Sequence, residues 1–247
     1  MKVSPHQVVA VVLAGGFGTR IKHLLGDLPK PMAPVAGRPF LEWVVRYLVA
    51  QKIRRVVLST GYHADMVKNH FATQPVKNVQ VHCVPETQPL GTAGGFLNAA
   101  RSEVEQPAAW LILNGDSLVV TPLDQMFGVL QEAGVEGAIL GLNVEDAARF
   151  GTISKNDAGE LVNFNEKRPG AGTISAGVYL IRDAALATFP ERQPLSFETD
   201  VFPAMIAGRA RLRVIETAAP FLDIGTPESL PQATEFIRQH QSWFAAE

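Results

Sequence analysis

The stretch LAGGFGTR, Leu13 to Arg20, closes an aliphatic run with three glycines and an arginine, and PKP follows at Pro29 to Pro31. Gly15, Gly16 and Gly18 carry no Cβ, so the backbone N–H groups there can come close to an anion and adopt positive φ. Phosphate is the anion that such a loop suits. Arg20, Lys22, Lys30 and Arg38 add positive charge in the same region. Pro29 and Pro31 stiffen the chain on both sides of Lys30 and lower the entropy lost when its ammonium is held in place. Lys22 and Arg38 read as solvated-face residues, whereas Arg20 and Lys30 are better placed for chemistry. Two familiar phosphate loops fail on spacing. Ile21 stands where a dinucleotide fingerprint needs its third glycine, and the G-K-[ST] of a Walker loop is missing. A plain strand-to-helix turn remains the other reading of the glycines.

Other reactive residues are less suggestive. Cys83 is the only cysteine and reads as a buried strand thiol, which excludes a disulfide framework or a thiolate metal cluster. The six histidines form no convincing site, and His63 and His70 read as members of a solvated helix face. SFETDVF reads as a helix start with Ser196 as N-cap rather than as part of a nucleophilic triad.

The elements that must position these residues follow a regular alternation. QVVAVVLA, RRVVLST, VQVHCV and AWLILN are short aliphatic runs separated by helical segments. Between Arg38 and Gln51 the residues Phe40, Leu41, Val44, Val45, Leu48 and Val49 make one apolar stripe on a helix. The pattern implies an α/β fold: a Rossmann-like, mostly parallel sheet flanked by helices, with its ligand crevice outside the carboxyl ends of the strands. The glycine loop lies at such an end. After about Leu142 the chain changes to short strands, FGTISK, LVNFNE and SAGVYLIR, separated by turns, which suggests a smaller mixed-sheet lobe. LRVIET, PFLDIG and a helix starting at Thr226 as N-cap, with Pro227 in its first turn, close the chain. One domain over residues 1–247 is expected, with about 8–142 and 143–230 as its two parts and a C-terminal helix beyond. There is no hexapeptide repeat of a β-helix after residue 223.

With 22 Lys and Arg against 24 Asp and Glu, the formal charge is −2, so the basic excess of a nucleic-acid binder is absent and any anion site is local. No apolar run approaches the roughly 18 residues of a membrane span, and no signal peptide is recognisable, so a cytoplasmic location is expected.

LAGGFGTR together with PKPMAPVAGRPFLEW resembles the signature of the sugar-1-phosphate nucleotidyltransferases. Further matches run in order through ETQPLGTAGG, NGDS, FGTI, NEKRP, SAGVYL and FLDIGTPE, covering roughly residues 8 to 230. The resemblance implies the nucleotide-diphospho-sugar transferase fold and small-molecule substrates, a nucleoside triphosphate and a sugar 1-phosphate. It implies that Leu13, Ala14, Gly15, Gly16, Gly18, Thr19, Arg20, Glu86, Gly91, Thr92 and Asp116 hold the nucleotide, and that Arg20 and Lys30 are catalytic. Gly151, Glu166, Lys167 and Gly177 fall at positions that meet the sugar phosphate. Asp116 and Asp223 match the family's metal aspartates, and two carboxylates at strand ends suffice for Mg²⁺ or Mn²⁺ when phosphates and water complete the shell. An Asp turn at Asp116, a helix cap at Asp223 and an exposed strand-end pair at Glu166 and Lys167 are the structural alternatives.

The motif combination is most similar to the D-glycero-α-D-manno-heptose 1-phosphate guanylyltransferases, which implies GTP, a heptose 1-phosphate and a role in cell-surface polysaccharide. Mannose-1-phosphate guanylyltransferases and hexose- or MurNAc-1-phosphate uridylyltransferases share most of the motifs. A catalytically silent regulatory subunit would be expected to lack the cations or aspartates, which are present here. Glu86 stands where relatives read the base, and two acceptor oxygens suit guanine's N1–H and amino group; a solvated strand-end acid is the alternative. Neither a nucleic acid nor a membrane is implied as partner, and a homo-oligomer is compatible with the sequence.

Overall fold

Val8, Ala10 and Val12 of the first strand belong to one buried cluster, and Val9 and Val11 to another. Successive side chains of a strand point to opposite faces, so this strand lies at the centre of a sheet covered on both sides. In the computed structural model, which describes residues 3–16, 20–148, 150–165 and 169–245, it is β1 (Val8–Ala14). A short helix α1 (Lys22–Leu25) and a tiny hairpin of β2 (Pro34–Val35) and β3 (Arg38–Pro39) lead into α2 (Phe40–Ala50). Then come β4 (Arg55–Thr60), α3 (Ala64–Thr73), β5 (Gln80–Pro85), α4 (Thr92–Ala100) and β6 (Ala109–Asn114). β4 and β6 pair with β1 in parallel, and β5 pairs with β4 in parallel. Ala14, Thr60, Pro85 and Asn114 therefore all end their strands at one edge of the sheet, and the strand order reverses across β1. A crevice outside carboxyl ends at such a switch point is where ligands bind in open α/β sheets.

The later strands extend this sheet instead of forming a separate one. After β7 (Ser117–Val119) and α5 (Asp124–Val129) come β8 (Val135–Val144), β9 (Thr152–Lys155), β10 (Leu161–Asn165) and β11 (Gly172–Arg182). β11 runs antiparallel to β6, to β8 and to β9, so it joins the parallel half to the mixed lobe. Beyond it lie α6 (Phe202–Ala207), β12 (Arg211–Thr217), β13 (Phe221–Asp223) and α7 (Ala233–Gln239). β12 pairs with β8 in parallel, and β13 pairs with β7 in a ladder of its own. The parallel sheet flanked by helices is thus present as expected around β1, and the mixed lobe continues it into one sheet of nine strands among the described residues.

α2 buries the expected stripe, with Phe40, Leu41, Val44, Val45 and Leu48 inaccessible to solvent. Each such side chain contributes about 1.5–3 kcal/mol relative to exposure. Glu42 on this helix is also buried, which an unpaired carboxylate would not tolerate. Arg38 Nη1 donates to its Oε1 at 2.6 Å, Arg46 Nε to the same oxygen at 2.9 Å, and His70 Nε2 to Oε2 at 2.9 Å. Arg38 also lies over the ring of Trp43. His70, with its side chain only 9 % exposed, is therefore not a solvated-face residue, drawn inward by an acid that periodicity within its own element does not reveal. Arg38 pairs with the same acid but stays exposed, as its reading as a solvated-face residue expects.

Two further expectations are corrected. No α-helix starts at Thr226: the Thr226 and Ser229 hydroxyls bond each other at 3.0 Å and close a turn, a 3₁₀ turn follows at Leu230–Gln232, and α7 begins at Ala233. α7 ends at Gln239 and gives way to a 3₁₀ turn over Gln241–Phe244. Cys83 is only partly buried, because β5 is an edge strand, and that burial still pushes its thiol up from its ordinary value.

Burial alone pushes the Glu42 carboxyl up, but the hydrogen bonds from Arg46 and His70 and the charge of Arg38 outweigh it and hold the acid below its ordinary value of 4.5. A depressed pKa contributes stability that is fully present above the unfolded value and is lost as pH falls through the folded one. Glu42→Ala should destabilise the protein by about 1.5–3 kcal/mol at neutral pH, because it removes the charge-assisted hydrogen bonds that Arg46 and His70 make to a buried carboxylate. Urea denaturation of Glu42→Gln should show a smaller loss at pH 7, and the gap to wild type should narrow as pH falls below 4.5. A gap that widens in acid contradicts the cluster's role.

Candidate active site

The crevice is built from loops that leave the carboxyl ends of β1, β5 and β6. Leu13, Gly15, Gly16, Glu86, Gly91, Thr92, Asn114 and Asp116 line one cavity of about 360 Å³. Ala14 is buried at the end of β1 and does not line it. The Glu86 carboxylate is not a solvated strand-end acid. Ser59 Oγ donates to its Oε1 at 3.0 Å and the Leu90 N–H to its Oε2 at 3.3 Å. A Cβ on Gly15 would meet Glu86 Oε1 at 2.5 Å, so the glycine is what lets the acid lie against the loop. Each carboxylate oxygen has two acceptor directions, so both oxygens keep capacity for donors beyond these two bonds.

The loop after β5 is clamped by the backbone of Leu195, whose side chain shares a buried cluster with Ala93 and Phe96 of α4. The Leu195 N–H donates to the Leu90 carbonyl at 2.8 Å, and the Leu195 carbonyl accepts from the N–H groups of Ala93 and Gly94 at 2.9 and 3.1 Å. The start of α4 and the segment around Leu195 are thereby one hydrogen-bonded unit.

A second cavity of about 210 Å³ adjoins the first through Asn114 and Asp116 and adds Arg20, Lys30, Phe150, Ser175, Asp223 and Gly225 to the walls. Lys30 and the two aspartates, distant in sequence, meet here. Asp223 stands opposite Ser117 in the β7–β13 ladder, and the Ile224 N–H donates to the Asp116 carbonyl at 3.0 Å. Lys30 Nζ lies 2.6 Å from Asp116 Oδ2 and 3.8 Å from Asp223 Oδ1. The Lys30 side chain is only 13 % exposed, and Pro29 and Pro31 flank it in a short 3₁₀ turn. Asp223 Oδ1 also accepts from the Gly225 N–H at 2.7 Å. A cation is therefore held between two carboxylates where two cavities join. Among the described residues no group of three or more His, Cys, Asp or Glu is arranged so that it could hold a metal ion.

A third cavity of about 510 Å³ opens on the mixed-lobe side, lined in part by Asn114, Gly151, Phe164, Asn165, Gly177 and Glu198. Gly177 has φ +70°, and a side chain there would collide with the Asn114 amide. Gly151 and Gly177 thus both reach the cavity where the sugar was expected. Gly18, Thr19, Glu166 and Lys167 lie outside the described residues. Sequence reasoning missed Asn114, which lines all three cavities. The signal was present in NGDS, where only the aspartate was singled out. It also missed Glu198 and Tyr179, which line the third cavity.

Comparison with known proteins fits this geometry. The nucleotidyl transferase family matches residues 9–240. A D-glycero-alpha-D-manno-heptose 1-phosphate guanylyltransferase of Aneurinibacillus thermoaerophilus is 30% identical over 232 residues, which is 94% of this chain and 99% of that protein. A mannose-1-phosphate guanylyltransferase of Mycobacterium tuberculosis is 33% identical over 92% of this chain, but the match spans only 63% of that longer protein. The crystal structure of HddC from Yersinia pseudotuberculosis complexed with GMP-PN superposes with a TM-score of 0.80 at 31% identity, covering 93% of this chain and 99% of that one. The match thus runs over most of the sequence and of the sheet that carries the site, and the chain belongs to the nucleotidyl transferase family of enzymes.

Proposed function

We propose that the protein is a guanylyltransferase that joins GTP to D-glycero-α-D-manno-heptose 1-phosphate and releases pyrophosphate. The observation that carries this reading is the placement of Lys30 between Asp116 and Asp223 at the junction of the cavities. Mannose 1-phosphate is the second reading, favoured by the identity to the mycobacterial relative. The heptose is preferred because the Aneurinibacillus relative, named for the heptose 1-phosphate, matches this chain along almost its whole length.

In this reaction an oxygen of the sugar phosphate attacks the α-phosphorus of GTP in line, the bond to the β-phosphate oxygen breaks, and pyrophosphate leaves. Both reactants are polyanions, so positioning and charge neutralisation dominate the catalysis. The backbone at Gly15 and Gly16 would receive the triphosphate, Arg20 would face the leaving pyrophosphate, and Lys30 would neutralise charge growing around the α-phosphorus. Two carboxylates with phosphates and water suit Mg²⁺ or Mn²⁺, and Asp116 and Asp223 would hold it. When bound, such an ion neutralises and aligns phosphate oxygens. Glu86 would take guanine's N1–H and amino group side by side, whereas uracil and thymine offer one ring N–H between acceptors.

Pyrophosphate release measured for four triphosphates against several sugar 1-phosphates should give GTP the highest kcat/KM. Glu86→Gln should erode the preference over UTP by about 1–3 kcal/mol. A higher kcat/KM with UTP or dTTP would end the guanine assignment.

Lys30→Ala should lower kcat on the order of 100-fold or more, with a smaller effect on triphosphate affinity, because the charge matters most in the transition state. Chelator should abolish activity, and Asp116→Asn and Asp223→Asn should each weaken the response to added Mg²⁺. Unchanged kcat in a folded Lys30→Ala variant, or full activity in excess chelator, would contradict these roles.

A further inference from the structure

Glu198 sits in the short helical turn Phe197–Val201, in SFETDVF, and opens on the cavity shared by Asn114, Gly151 and Gly177. Ser196 caps this turn as the sequence suggests, its Oγ accepting from the Thr199 N–H. The carboxylate is oriented by much more than its own turn. Tyr179 Oη donates to Glu198 Oε1 at 2.9 Å. Ser196 Oγ and Thr92 Oγ1 donate to Oε2 at 2.9 and 3.3 Å. Thr92 is held in turn, because its Oγ1 accepts from the Phe197 N–H at 2.9 Å.

The direction of the remaining bonds follows from the carboxylate. An ionised carboxylate only accepts, so the single proton of Tyr179 goes to Glu198. Ser175 Oγ, 3.1 Å from Tyr179 Oη, must then donate to the phenol, and Ser175 in turn accepts from the Gly177 N–H at 3.3 Å. Every proton in the series Gly177, Ser175, Tyr179 points towards Glu198. Tyr179 is buried, and that burial together with the Glu198 charge pushes its phenol well up from its ordinary value, so it remains a donor.

Among the described residues three donors therefore reach the two oxygens, two of them on Oε2 and one on Oε1. A carboxylate offers about four acceptor directions, which leaves one on Oε1 for a donor in the cavity. A sugar hydroxyl is such a donor. A phosphate is not, and a fixed negative charge repels it. Arg20 and Lys30 line the adjoining cavity instead, beside Asp116 and Asp223, whereas Glu198 is the one charged side chain among the described residues that line this cavity.

We infer that Glu198 recognises the sugar: its Oε1 accepts a hydrogen bond from one hydroxyl of the sugar 1-phosphate, in the part of the cleft that the cations do not line. The inference rests on the proposed function and adds to it a specificity-determining residue. Tyr179 is a positioning residue, since it reaches the sugar through Glu198. The carboxylate also orients the substrate, because it accepts the polyol end and turns the phosphate away towards Arg20 and Lys30.

The test uses the full chain, the best sugar 1-phosphate of wild type and the set of its monodeoxy analogues. Glu198→Gln should raise the KM for the sugar 1-phosphate on the order of 10- to 100-fold, the loss expected for a hydrogen bond to a charged group, while the KM for GTP stays within about twofold. Wild type should discriminate at least about tenfold against one particular monodeoxy analogue, since a site built to bind a hydroxyl rejects the compound that lacks it. Glu198→Gln should lose that discrimination and retain the others. Tyr179→Phe, which keeps the ring packing, should raise the same KM by a smaller factor and decides the matter if Glu198→Gln does not fold. An unchanged sugar KM with unchanged discrimination in an active variant overturns the inference alone. Equal rises in both KM values, the mark of a merely structural carboxylate, also overturn it. Wild type that turns over no sugar 1-phosphate overturns the proposed function, and the inference with it.

Discussion

The arrangement depends on one backbone constraint: the chain must return, after the whole mixed lobe has been laid down, to pair β13 against β7. That ladder has only three residue pairs, yet it sets Asp223 opposite Ser117 and brings it beside Asp116. Two carboxylates this close repel each other unless a cation lies between them, and Lys30 supplies one. The lysine is in turn held by a turn whose prolines leave it few alternatives. Charge and backbone thus support each other, with the ladder gathering the acids and the ammonium making their proximity tolerable.

The same logic of matched charge recurs where no chemistry is expected. Glu42 is buried between α2 and α3, and its partners Arg38, Arg46 and His70 satisfy both oxygens. The chain is almost neutral overall, so its electrostatics are local. Glu42, Glu86 and Glu198 each sit among a defined set of donors, and Arg20 and Lys30 line one cleft. A nucleotide and a sugar phosphate would meet a patterned surface instead of a diffuse positive field.

Much of this was legible in the sequence. The aliphatic runs gave the parallel strands, the stripe from Phe40 to Val49 gave α2, and glycines beside strand ends marked the crevice. Those signals are local, since periodicity and backbone freedom belong to a few neighbouring residues. What stayed hidden depends on distant partners. His70 looked solvated because its partner Glu42 lies on another helix. Thr226 looked like a helix cap because nothing in its own type reveals that Ser229 would take its hydroxyl bonds. Glu198 looked like part of a helix start because its orientation comes from Tyr179 and Thr92, on a strand and a helix remote in sequence. Ser196 was read correctly as the cap, and that local success masked the larger role of its neighbour.

The clamp at Leu195 has a consequence for how specificity can change. Its amide and carbonyl are tied to both sides of the loop that carries Gly91, and Thr92, next to that glycine, is joined to Glu198, three residues beyond Leu195. The wall proposed to face a nucleotide and the wall proposed to face a sugar are therefore mechanically one plate. Grafting a base-recognition loop from a relative into this scaffold would tilt the sugar wall as well. Exchange of substrates between such enzymes is then most readily achieved by moving residues 86–95 and 193–201 together as one cassette, while either piece alone inherits a misaligned partner.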